Sequence, residues 1–97
     1  KVLLLDEPTM HLDLEHQINT CRLLQRKSRE GVTVAAVLHD LNLAASFCDH
    51  VFVLAEGRLR EEGPPEEVFK PELIAEVFRV TVPPLHHPLT GRPIIAP

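Results

Sequence analysis

With 97 residues, 44% apolar and 25% charged, the chain has the balance of one small globular domain. Its 14 acidic residues outnumber 10 basic ones, and a net charge of −4 gives no footprint for nucleic acid or an anionic membrane surface. No apolar run approaches the roughly 20 residues that cross a bilayer. The chain therefore reads as cytosolic. The two cysteines, Cys21 and Cys48, read as buried thiols rather than as a disulfide framework. The first residue is Lys1 rather than Met, and it opens straight into an apolar run, so a piece of a longer chain is expected.

Val2 to Leu5 is apolar without alternation, as in a strand of a parallel sheet covered on both faces. Glu7-Pro8-Thr9 ends it, because proline cannot continue a central ladder. Asp13 is a good N-cap for a helix whose Leu14, Ile18, Cys21 and Leu24 recur at helical spacing, and Gly31 fits its C-terminal stop. Val32 to Leu38 is a second buried-type strand rich in β-branched residues. Asp40 caps a shorter helix with Leu41, Ala44, Ala45 and Cys48 on its apolar face.

Val51 to Leu54 predicts a third buried strand. The Glu56-Gly57 turn returns the chain through an exposed strand, Arg58 to Glu62. After Gly63-Pro64-Pro65, two short helices are expected over Pro65 to Phe69 and Glu72 to Phe78. Short strands at Val80 to Val82 and Pro93 to Ala96 should flank the turn at Pro88 to Arg92. Strands alternating with helices predict an α/β fold, a parallel sheet with flanking helices, followed by a β-hairpin and a small helical and strand tail.

Two polar pairs stand at strand ends. Asp6 and Glu7 follow Leu3-Leu4-Leu5, and His39-Asp40 follows Val37-Leu38. Ligands of open parallel sheets sit off the carboxyl ends of the strands. Two carboxylates there cost free energy to desolvate, a cost that a divalent cation offsets. Neighbouring strand residues point to opposite faces, so the two acids should do different work. Imidazole titrates near neutrality and can donate to a phosphate oxygen. Taken alone, an acidic strand end or a single histidine is more often structural; two such sites one βαβ unit apart argue together. His11 and His16 have poor spacing for a metal on one helix face. His50, His86 and His87 have no context that gives them a role.

Leu3-Leu4-Leu5-Asp6-Glu7-Pro8-Thr9 followed by Leu12-Asp13 resembles the Walker B strand and D-loop of ABC transporter ATPases, and His39 resembles their switch histidine. The likeness implies the C-terminal half of a P-loop ATPase core in residues 1–63 and a C-terminal extension in 64–97. Asp6 would hold Mg²⁺ through water. Glu7 would polarise the water that attacks the γ-phosphate of ATP, and His39 would contact that phosphate. Met10 to Asp13 would cross to a second ATPase subunit in a homodimer, with Asp13 near its nucleotide. Many members carry Ser-Ala before Leu-Asp, where this chain has Met10-His11.

The segment 71–82 and the tail 88–97 are similar to importer ATPases for haem, ferric siderophores and cobalamin. That implies docking on membrane permease subunits at the cytoplasmic face of the plasma membrane, and no nucleic acid partner. No Gly-x-x-x-x-Gly-Lys-Ser/Thr loop, glutamine loop or Leu-Ser-Gly-Gly-Gln signature occurs in these residues. The chain alone is therefore expected to bind ATP weakly or not at all. The competing readings are a DNA-associated ATPase of the same superfamily, for which a coiled coil is missing, and a non-catalytic interaction module.

Overall fold

The computed structural model describes residues Lys1–Pro97 as two compact units, Lys1–Leu43 and Ala44–Pro97. In the first, β1 (Val2–Asp6) and β2 (Thr33–Val37) run parallel, in register from Val2 opposite Thr33 to Asp6 opposite Val37. The crossover between them is α1 (Leu14–Arg29), which packs on β2. Asp13 caps α1 by accepting from the His16 N–H at 2.9 Å. At the other end, Gly31 takes the positive φ of 96° that a residue with a Cβ rarely adopts.

The inner face of α1 includes the predicted Ile18, Cys21 and Leu24, with Cys21 buried; Leu14, in the first turn, is 71% exposed instead. The helix α2 (Leu41–Phe47) follows β2. The Asp40 carboxylate caps it, accepting from the Asn42 N–H at 3.0 Å and the Leu43 N–H at 3.1 Å.

In the second unit, β3 (Val51–Ala55) and β4 (Arg58–Gly63) form an antiparallel hairpin with a bulge at Val53 and Leu54. Its turn residues Glu56 and Gly57 have φ of 54° and 73°, the two positive values that a tight primed turn needs. Short helices α3 (Pro65–Val68) and α4 (Pro71–Leu73) come next, and α4 runs into a π-helical turn, Ile74–Phe78. Both helices begin on a proline, whose missing N–H would be unpaired there anyway. The core of this unit is Ala44, Ala45, Val51, Val53, Val68, Phe69, Ile74 and Val82. Burying Ile74 fully is worth about 2–3 kcal/mol.

Three expectations need correction. β1 and β3 are each covered on one face only: Val2 and Leu4, and Phe52 and Leu54, are exposed. An unbroken apolar run reports that both faces are apolar, not that both have partners. β3 has joined no parallel sheet; its one strand neighbour is β4. In the tail, the first strand lies at β5 (Leu85–His86), not Val80 to Val82, and pairs antiparallel with β6 (Pro93–Ile94). Pro83 and Pro84 have no N–H to donate, so pairing waits until the chain has passed them.

Candidate functional site

Parallel pairing carries the carboxyl ends of β1 and β2 to one edge. The ladder extends one residue beyond β1, where the Glu7 N–H donates to Val37 O at 2.9 Å. Continuing the register sets Leu38 opposite Glu7 and His39 one residue further on, and there the backbone of Glu7 turns out of the strand. The side chains touch, His39 Nε2 against Glu7 Oε1. The Glu7 side chain is 15% exposed and that of His39 76%, so a sheltered carboxylate sits beneath an imidazole that faces solvent.

Glu7 has φ of +51°, unusual for a residue with a Cβ and one that precedes proline. Such backbone costs about 1–3 kcal/mol and persists where surrounding structure imposes it. Here Val37 O holds the Glu7 N–H, and the Glu7 carbonyl accepts from the Met10 N–H at 3.2 Å. The division of labour between Asp6 and Glu7 thus has a different origin from the one expected. Asp6 is the last residue of the strand and is exposed, while Glu7 has left the strand and is turned by its own backbone.

After Glu7 the chain makes two tight turns. Thr9 is buried, its carbonyl accepts from the Leu12 N–H at 3.3 Å, and His11 has φ of 65°. The loop delivers Asp13, exposed, to the start of α1. Its carboxylate accepts from the His16 backbone N–H and meets His16 Nδ1 at 2.6 Å. These bonds, that to the backbone first, hold the Asp13 carboxyl below the usual aspartate range. His11 and His16 form no metal-binding cluster, and no group of three or more His, Cys, Asp or Glu is placed to hold an ion.

The structure therefore brings Glu7 and His39 together. It leaves Asp6 at the same strand end, with its carboxylate open, and puts Asp13 on the helix cap beyond the loop. Sequence reasoning missed the backbone of Glu7, for which a glutamate before proline carries no signal. It also missed His87, whose ring Nδ1 accepts from the Leu89 N–H at 3.1 Å and the Thr90 N–H at 3.3 Å. His50 is at the surface, its ring tilted against that of Phe52 with centroids 4.8 Å apart and its Nε2 3.3 Å from Glu62 Oε1.

No protein-family model matches the sequence. The chain is 46% identical over 92 residues to the hemin import ATP-binding protein HmuV of Plesiomonas shigelloides, across 95% of this chain and 35% of that protein. Among solved structures, cbiO1 from Clostridium perfringens, described as part of the ABC transporter complex cbiONQ, is 39% identical with a TM-score of 0.67. The match covers 78% of this chain and 31% of that one. A 21%-identical ABC transporter structure in an inward-facing conformation matches 100% of this chain and 40% of its own, with a TM-score of 0.82, a likeness of fold. The chain spans about a third of the length of the curated relatives it matches.

Proposed function

Because this chain belongs, as a segment, to the family of ABC transporter ATP-binding subunits, we propose that it supplies the hydrolytic edge of an ATPase that powers import across a membrane. One observation carries the reading: the Glu7 carboxylate and the His39 imidazole touch at the ends of two adjacent parallel strands. In this proposal residues 1–63 contribute to the ATPase core and 64–97 form an extension. The cargo is haem, or a ferric siderophore or cobalamin; the hemin importer relative supports the first.

Glu7 accepts a hydrogen bond from the attacking water and aligns it with the γ-phosphate of ATP. His39, exposed above it, donates from its ring to a γ-phosphate oxygen and keeps Glu7 in place through the contact already present. Asp6 is the one open carboxylate at this edge, which fits Mg²⁺, an ion held by one or two carboxylates and otherwise by water and phosphate oxygens. Bound there, Mg²⁺ would neutralise phosphate charge. Asp13 and His11 on the loop would face a second copy of the subunit. No helix is long and apolar enough to cross a membrane. In this reading the subunit docks on permease subunits at the cytoplasmic face.

The test is phosphate release by the full-length subunit carrying this chain. Glu7→Gln should lower kcat by about 10²- to 10³-fold while Mg-ATP still binds, and His39→Ala should do likewise. Turnover of Glu7→Gln near the wild-type rate would refute the assignment.

A further inference from the structure

The helix between the switch histidine and the hairpin has seven residues, too few to hold itself in water. Its amino end is secured by Asp40, adjacent to His39. Its carboxyl end has no basic residue in its last turn to meet the negative end of the helix dipole.

The missing cation comes from the tail. Arg92 Nη1 donates to Ala45 O at 3.1 Å and to Cys48 O at 2.7 Å, and Nη2 lies 3.9 Å from Asp49 Oδ1. The Arg92 side chain is 29% exposed, so these bonds form partly out of water, where charge-assisted bonds are stronger.

Arg92 is itself held by a closed turn. The His87 N–H donates to Arg92 O at 2.8 Å, and the Gly91 N–H donates to His87 O at 2.9 Å. The Arg92 N–H donates to Thr90 Oγ1 at 3.2 Å. The His87 ring ties down Leu89 and Thr90 from the same side. Such bracing of a short loop is what a side chain needs if it is to fix something else.

We infer that Arg92 is a positioning residue for ATP hydrolysis: by capping the carboxyl end of α2 it fixes the helix whose amino cap sets His39. This rests on the function proposed above. It gives the C-terminal tail a part in catalysis without contact with nucleotide. Small displacements of a catalytic group are enough, since about 1 Å can cost up to about 10²-fold in rate.

The experiment uses the full-length subunit and measures kcat and KM for ATP, stoichiometry of nucleotide binding and melting temperature. Arg92→Ala should lower kcat about 10-fold per nucleotide-binding site while KM moves less than about 2-fold. Arg92→Lys should fall between, because an ammonium keeps the charge but not the planar group that sets Nη1 on both carbonyls while Nη2 faces Asp49. On a His39→Ala background Arg92→Ala should slow turnover no further. The inference is overturned by wild-type kcat in Arg92→Ala, or by a full additional loss on the His39→Ala background. Should Arg92→Ala not fold, Arg92→Lys decides: full kcat with a lowered melting temperature assigns Arg92 to stability alone. A His39→Ala subunit that turns over at the wild-type rate removes the proposed function itself, before Arg92 is varied.

Discussion

Glu7 Oε1 and His39 Nε2 meet across the carboxyl ends of β1 and β2, where parallel pairing brings the two strand ends together and the backbone of Glu7 turns out of its strand. The Glu7 N–H on Val37 O extends the ladder by one step. His39 is then the second residue beyond Val37, on the segment that leads into α2. Anything that frees the start of α2 should therefore loosen this contact.

Asp40→Ala tests that link. It removes the acceptor shared by the Asn42 and Leu43 N–H groups and should destabilise the protein by about 1 kcal/mol. Chemical denaturation measures the loss. Asp40→Asn or Asp40→Ser, which keep a capping oxygen, should recover most of it.

Asp13 gives α1 a pH dependence of known sign. Its folded pKa is depressed, so in the window between its lowered value and the ordinary aspartate value the unfolded chain binds more protons. The stabilisation is therefore present above the ordinary aspartate range and is lost as pH falls through the lowered value. Circular dichroism on acidification should show Asp13→Asn, which still caps but does not titrate, lacking this part of the acid transition.

The hairpin turn carries a correctable strain. Glu56 adopts φ of 54° although it bears a Cβ, and asparagine tolerates that conformation better. Glu56→Asn should stabilise the protein by about 0.5–1 kcal/mol, read as a higher denaturation midpoint with unchanged slope.

Burial pushes the Cys48 thiol up, neighbouring Asp49 adds to the rise, and Arg92 opposes both. Its thiolate is correspondingly scarce at neutral pH, so alkylation by iodoacetamide at pH 8 should be slower than for a cysteine in a peptide. Arg92→Ala removes the opposing charge and should raise the pKa further. Alkylation of Cys48 faster in that variant than in the wild type, with the fold intact, would contradict the assigned role of the guanidinium.

Local chemistry made much of this molecule legible in advance. Asp13 and Asp40 are caps because a short acceptor before an apolar periodic stretch satisfies orphan N–H groups wherever it occurs. Glu56-Gly57 is a turn, and Asp6, Glu7 and His39 stand at strand ends, for reasons contained in a few adjacent residues. What the apolar runs could not reveal is which faces find partners. Leu4 and Phe52 look like core residues and are 74% and 62% exposed, since a partner's position is not written in the run itself. Nor could spacing reveal the turned backbone of Glu7, or that Arg92 crosses to Ala45 and Cys48. Those depend on non-local geometry, in which residues far apart in sequence satisfy each other's hydrogen bonds only once the chain is folded.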